Sequence, residues 1–158
     1  MEPRIHFTEA STGAYKAMLG LGKYLEHCGL EPRLLDLIKL RVSQINGCAY
    51  CIDMHWKDLR SAGETEQRLY GLDAWRESPY YTDRERAALA WAEAVTLVNV
   101  DHVPDEVFEQ ASKQFSEKEL VDLTLGVVTI NGWNRLSISF RVTPGTYQPA
   151  GAGQRKAA

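Results

Sequence analysis

Residues 120–140 are apolar on nearly every side of a helix, and this segment limits the possible folds more than any other. A helix without a polar face is buried on all sides. The β-branched residues of the segment would also suit a strand, but its length and its lack of strict alternation favour a helix. In a chain of 158 residues, we expect a partner subunit to cover this helix together with the protein's own core.

The first part of the chain predicts three helices, of which the second and third form an αα-hairpin. Residues 9–27 repeat apolar side chains at helical spacing. Glu31-Pro32 opens the second helix with proline in its first turn. Asn46-Gly47 ends it, because both residues tolerate the left-handed conformation of a helix stop. The chain then reverses into a third helix over residues 48–61.

Two capping boxes and a change in composition complete the predicted architecture. A capping box is a Ser or Thr followed three residues later by Glu, and the two in this chain begin at Thr82 and Ser116. Residues 143–158 are rich in Pro, Gly and Ala, which predicts a loose tail. We therefore expect an all-α fold with one domain over residues 1–142, containing the αα-hairpin and a long buried C-terminal helix.

Charge and hydropathy argue against several classes of protein. The net charge is -3 and no basic stripe is present, so we expect neither a nucleic-acid partner nor a membrane-surface partner. No stretch approaches the roughly 18 apolar residues of a membrane span, and the first residues carry no apolar signal region. Three cysteines without a signal indicate a reducing cytoplasm, where a close pair is more often catalytic or metal-binding than structural.

Cys48, Cys51 and His55 lie at positions i, i+3 and i+7, which share one face of a helix. Three interpretations of this face are open. Two thiols one turn apart can close a disulfide while an imidazole moves the proton. The same side chains can bind zinc. Alternatively, the cysteines are small apolar core residues beside a satisfied histidine.

A structural zinc site usually needs a second close pair of ligands. Among the remaining candidates only two residues are adjacent, namely His27 and Cys28, while His6 and His102 stand apart. The pattern therefore favours redox chemistry at Cys48 and Cys51, and we expect neither a metal nor another cofactor. A zinc-binding module is kept as an alternative.

Asp36 can approach this face only if the chain folds as the predicted hairpin. In one straight helix, Asp36 and Cys48 would lie roughly 18 Å apart, whereas a reversal at Asn46-Gly47 brings Asp36 near His55 and Asp58. A carboxylate beside an imidazole fixes its tautomer and raises its basicity. From spacing alone, however, a solvated surface acid is the better interpretation of Asp36.

Residues 44–55 closely resemble the core of the alkylhydroperoxidase D (AhpD)-like proteins, in the carboxymuconolactone decarboxylase superfamily. The resemblance extends to residues 63–69, 85–91 and 130–135, and so covers nearly the whole chain before the tail. It implies an all-α protein that assembles as a trimer or hexamer and reduces hydroperoxides with thiols. It also implies a catalytic set, which falls on Asp36, Cys48, Cys51 and His55.

Two positions depart from the family pattern. Asp36 stands where the family usually has Glu, whose side chain is one methylene longer. Tyr50 stands where the best-studied branch has His, although many AhpD-like proteins also have Tyr there. A phenol cannot replace imidazole as a base near pH 7. Asn131, in one of the resembling segments, is a further candidate neighbour of the site.

The resemblance and the spacing together suggest a two-cysteine mechanism. The thiolate of Cys51 attacks the hydroperoxide, Cys48 resolves the sulfenic acid into a disulfide, and an external dithiol reduces the pair. The reverse order stays open, because the first Cys of a CxxC at a helix start feels the helix dipole. The alternatives are a cofactor-free decarboxylase of a lactone acid, which needs no CxxC, and a catalytically weak oligomeric stress protein.

Overall fold

The computed structural model describes residues 2–149, and the regular structure in this range is entirely helical. This range contains no strand, which confirms the predicted all-α class. In chain order the helices are α1 (Phe7–Ala10), α2 (Thr12–Leu25), α3 (Pro32–Asn46), α4 (Ala49–Ser61), α5 (Glu66–Tyr70), α6 (Asp83–Thr96), α7 (Val98–Asp101), α8 (Asp105–Ser112) and α9 (Glu117–Phe140). Within residues 2–149, no helix is both long and apolar enough to cross a membrane.

The long helix α9 begins at the predicted capping box. The Ser116 hydroxyl accepts the backbone N–H of Glu119, and the Glu119 carboxylate accepts the backbone N–H of Ser116. One side of α9 packs against α2, α3 and α6. The approach to α3 is close at Gly126, where an added Cβ would lie 3.2 Å from the Leu35 side chain.

The opposite side of α9 stays open in the single chain. Val121 and Val128 lie two turns apart on this side and are 68% and 51% exposed. By contrast, Leu123 and Val127 on the inner side are fully buried. The outer side is therefore the part of the apolar helix that the expected partner subunit would cover.

Helices α3 and α4 form the predicted αα-hairpin. Gly47 follows α3 with φ 68° and ψ 31°, a left-handed conformation that favours glycine. Its N–H donates to the Gln44 carbonyl, and the Cys48 N–H donates to the Ser43 carbonyl at 3.0 Å. Helix α4 begins one residue later, which makes Cys48 its N-cap residue.

The prediction of one continuous helix over residues 9–27 is wrong. Ser11 leaves the helical conformation, with φ -143° and ψ 80°, so α1 ends before it and α2 begins after it. The Phe7 and Tyr15 rings meet across this break with centroids 6.4 Å apart. The break therefore separates the two helices while their aromatic rings stay in contact.

Residues 143–149, the first part of the predicted tail, contact α4. The Gly145 N–H donates to the Asp53 carboxylate at 3.0 Å. Lys57 Nζ donates to the carbonyls of Gly145 and Tyr147, and the Tyr147 hydroxyl donates to Asp58 at 2.6 Å. Charged side chains of α4 thus hold a segment whose own composition predicts no order. Residues 150–158 of the expected tail lie outside the described residues.

Candidate active site

The two cysteines of the hairpin occupy the first turn of α4. Cys48 is the N-cap residue, and its sulfur accepts the backbone N–H of Cys51 at 3.4 Å. The Cα atoms are 5.3 Å apart and the sulfurs are joined as a disulfide. Each residue is only 1% exposed. The spacing that the sequence singles out therefore becomes a pair that can exchange two electrons.

A cavity of about 600 Å³ lies against this pair. Cys51 and His55 line it, whereas Cys48 is not among the described residues that do so. The walls come from both ends of the described chain as well as from its centre, because residues 3–8 and 142–146 contribute together with α2, α3, α4 and α9. Only Cys51 of the two sulfurs therefore faces the space that a small molecule could enter.

Aromatic rings form a continuous wall of the cavity. Adjacent ring centroids lie 5.8 to 6.4 Å apart along the series Phe140, Phe7, Tyr15 and Trp133. Ligand sites in proteins are typically apolar cavities with a few polar groups at one place. Here Cys51, His55 and Lys39 all line the cavity, which makes the part of the cavity beside the cysteine pair the candidate reaction site.

His55 lies one turn after Cys51 and is 6% exposed. Neither of its ring nitrogens makes a hydrogen bond with a described residue. Burial, together with a smaller contribution from the charge of Lys39, lowers the pKa of His55 to about 3. The imidazole is therefore neutral at physiological pH, with one nitrogen able to accept a proton and the other carrying one.

Asp36 does not hydrogen-bond to His55 in the described structure. Its carboxylate instead accepts a hydrogen bond from Lys39 Nζ at 3.0 Å. The hairpin register explains this difference, because Lys39 lies eight residues before Gly47 and His55 eight residues after it. Asp36 lies one turn further from the reversal than Lys39, so it does not reach the level of His55.

On α4, Asp58 occupies the level that corresponds to Asp36 on α3. Burial raises the pKa of the Asp58 carboxyl, and the charge of Asp36 acts in the same direction. The hydrogen bond from Tyr147 opposes this rise. The hairpin thus places acid beside acid at one level and Lys39 beside His55 at the next.

Tyr50 and Asn131, the two candidate neighbours of the site, have different surroundings. Tyr50 lines the cavity and is half-buried, and burial raises the pKa of its phenol. Asn131 is not among the described residues that line the cavity. Its side-chain carbonyl accepts a hydrogen bond from Asn46 at 3.0 Å, and its amide donates to Thr96. It therefore supports the turn that carries Cys48.

Asn134 and Ser43 complete this support and are not singled out by the sequence. The amide of Asn46 donates to Asn134 at 2.9 Å, and the amide of Asn134 donates to the Ser43 hydroxyl at 3.1 Å. The Ser43 hydroxyl then donates to the Lys39 carbonyl. These contacts join α3 to α9, so a pattern of residues along the chain does not reveal them.

Lys39 is the further functional candidate that sequence reasoning missed. It lines the cavity with Cys51 and His55, and its side chain is 23% exposed. The available signal was the equal spacing of Lys39 and His55 from Gly47. That spacing becomes informative only once the hairpin is known to reverse at Gly47.

Comparisons with known proteins match the chain to a family model and to relatives. The model of the carboxymuconolactone decarboxylase family matches residues 12–94. The uncharacterized protein YdfG of Bacillus subtilis is 43% identical over 88% of this chain and 95% of its own length.

Solved structures share the same arrangement of helices. One is a protein of unknown function from Agrobacterium tumefaciens, described as a candidate antioxidant defence protein AhpD, with a TM-score of 0.89 and 44% identity over 92% of this chain and 100% of its own. A peroxidase-related protein with an AhpD core, from Ralstonia eutropha, has a TM-score of 0.77 over 88% of this chain and 74% of its own. Its identity of 19% supports the shared fold alone.

Proposed function

Because the chain belongs to the carboxymuconolactone decarboxylase family, as an AhpD-like member, we propose that it is a thiol-dependent peroxidase that reduces hydroperoxides. The observation that carries this proposal is the Cys48–Cys51 pair, of which Cys51 faces an apolar cavity beside His55. A pair that can form a disulfide and a neighbouring imidazole are the groups that thiol-based peroxide reduction needs.

The first chemical step is oxidation of Cys51. Its thiolate attacks the terminal oxygen of the hydroperoxide, the O–O bond breaks, and the departing alkoxide takes a proton to leave as an alcohol. Cys51 becomes a sulfenic acid. His55, one turn away, donates the proton of one ring nitrogen to the leaving oxygen and accepts the thiol proton at the other, so the ring stays neutral.

The second step closes the disulfide and uses the short distance between the cysteines. The Cys48 thiolate attacks the Cys51 sulfur, the S–S bond forms, and hydroxide leaves with a proton as water. The enzyme has then given two electrons and two protons to the hydroperoxide. An external dithiol returns both by thiol–disulfide exchange, and a reducing cytoplasm would supply such a dithiol.

The assignment of Cys51 as the attacking thiol is supported by access. Cys51 lines the cavity, while Cys48 lies behind it as the N-cap residue of α4. The aromatic and apolar lining also favours an organic hydroperoxide, because burial of an apolar group contributes to binding. Exposed valines on the outer side of α9 support assembly as a homo-oligomer.

The test is a count of free thiols in reduced protein before and after one equivalent of cumene hydroperoxide, with Cys28→Ser as the background. We expect loss of both remaining thiols and their recovery with a dithiol. No thiol loss over minutes would exclude a thiol peroxidase and would turn attention to decarboxylation of a lactone acid.

A further inference from the structure

The ionisable residues that line the cavity include one lysine, Lys39. Of the described residues that line it, Lys39 is the one Lys or Arg. The other ionisable lining groups besides Cys51 come from three elements: His6 from the segment before α1, Tyr15 from α2, and Tyr50 and His55 from α4. The lining residues of α9 and of residues 142–146 carry no ionisable side chain.

A thiolate in a buried cavity needs a positive charge nearby, because burial alone disfavours the charged form. His55 cannot supply this charge at neutral pH, since its buried ring is held in the neutral form. Tyr15 and Tyr50 can only be neutral or negative. His6 belongs to an exposed segment. Lys39 is therefore the cation on which the charge balance of the site depends.

The position of Lys39 is fixed relative to the cysteine turn. Its backbone carbonyl accepts the Ser43 hydroxyl at 2.7 Å, and the Ser43 carbonyl accepts the Cys48 N–H at 3.0 Å. Lys39 thus lies one turn along α3 from the residue that anchors the start of α4. At its other end, the ammonium is held by Asp36.

We propose that Lys39 is the positioning cation of this site: its ammonium favours the thiolate of Cys51, and Asp36 acts by holding that ammonium rather than by orienting His55. The inference deepens the proposed function and rests on it, because a peroxidase thiol must be ionised to react. Neither the proposed chemistry nor the resemblance assigns a role to Lys39.

The test uses the full chain with Cys28→Ser and Cys48→Ser, which leaves Cys51 as the single thiol and keeps a good N-cap residue at position 48. The pKa of Cys51 is measured from the pH dependence of its alkylation by iodoacetamide, followed by mass spectrometry. In this background, Lys39→Met removes the charge and Lys39→Arg keeps it. Far-ultraviolet circular dichroism checks that each variant is folded.

Lys118→Met is the matched control. Lys118 belongs to an ion pair within one helix, with Asp122 at 2.6 Å, as Lys39 does with Asp36. It does not line the cavity among the described residues. We expect Lys39→Met to lower the thiolate fraction of Cys51 at pH 7 about tenfold, while Lys39→Arg and Lys118→Met leave it within about twofold. Equal effects of Lys39→Met and Lys118→Met, or no effect of Lys39→Met, would overturn the proposal.

Asp36→Asn tests the proposal through the direction in which it changes the thiolate fraction of Cys51. Asn keeps a side-chain oxygen that can accept from the Lys39 ammonium but removes the negative charge. If Asp36 acts on Lys39, the thiolate fraction of Cys51 therefore stays unchanged or increases. A tenfold decrease would mean that Asp36 acts through His55, and the proposal would fail. Alkylation consumes no peroxide, so the result for Lys39 is independent of peroxidase activity. If Cys51 responds to Lys39 but no peroxide is reduced, the proposed function fails while the role of Lys39 stands.

Discussion

The Asp36 carboxylate accepts a hydrogen bond from the Lys39 ammonium at 3.0 Å, one turn along the same helix. Lys39, rather than Asp36, is level with His55 across the hairpin. The acid that the family resemblance places beside the histidine is therefore engaged on its own helix. His55 is held neutral by burial, and Lys39 is the one Lys or Arg among the described residues that line the cavity.

Single substitutions of the cysteines should separate their roles. Cys51→Ser should abolish peroxide consumption, because no thiol then faces the cavity. Cys48→Ser should allow one oxidation and then stop, because the sulfenic acid on Cys51 has no partner. Single-turnover assays with dimedone labelling measure both outcomes, and Cys28→Ser should stay active. Repeated turnover by Cys48→Ser would contradict the disulfide step.

The stability of the protein should fall as the pH drops below about 6.5 because of His55. Its pKa is lowered from 6.5 to about 3 in the folded state, so below the higher value the unfolded chain binds a proton that the folded chain does not. The free energy of unfolding therefore falls by at most ~1.4 kcal/mol for each pH unit below that value. Urea unfolding between pH 5 and pH 8 measures this slope.

His55→Gln and its control His27→Gln test whether His55 causes this pH dependence of the free energy of unfolding. His55→Gln should flatten the dependence, because the titrating group is gone, whereas the exposed His27 can be replaced with little change. Equal slopes for the parent and His55→Gln would show that other groups cause the pH dependence.

Tyr147→Phe should loosen the segment that closes one side of the cavity. The change removes the hydrogen bond to Asp58 and leaves the lysine contacts of the segment in place. A hydrogen bond to a charged group contributes about 1.5–3 kcal/mol. Hydrogen exchange of the Gly145 amide, which donates to Asp53, should become faster. Tyr70→Phe, on an exposed side chain, should leave that amide unchanged.

Val128→Asp should reduce the size of the particle in solution. Val128 is exposed on the outer side of α9, and a charge placed within an apolar interface is costly to bury. Sedimentation velocity should show a larger species for the parent protein and a smaller one for the variant. Tyr70→Ser is the control for an exposed side chain outside α9. A parent protein that sediments as a monomer would exclude the oligomer.

Asn134→Ala should destabilise the protein through the turn that carries Cys48. Asn134 is fully buried and connects Asn46 to Ser43. Leaving buried polar groups unpaired costs about 1–3 kcal/mol. Urea unfolding measures the loss, and Asn99→Ala, at an exposed position, should cost less than about 0.5 kcal/mol.

Local signals predicted the hairpin and the cysteine pair. Proline at the start of α3 and glycine after its end act within a few residues, and so does the i, i+3 spacing of Cys48 and Cys51. The break at Ser11 was missed because apolar spacing continues across it. The ion pair of Lys39 with Asp36 is also local, at i and i+3, but the resemblance to the family directed Asp36 to His55 instead.

The sequence by itself determined the two helices of the hairpin, the reversal at Gly47 and the thiol pair, because each depends on neighbours along the chain. Only the tertiary structure decided which sulfur faces the cavity and which charge lies beside it. The cavity joins both ends of the described chain, with the Arg4 N–H donating to the Phe140 carbonyl. Contacts between such distant residues depend on how the helices pack, and no local pattern encodes them.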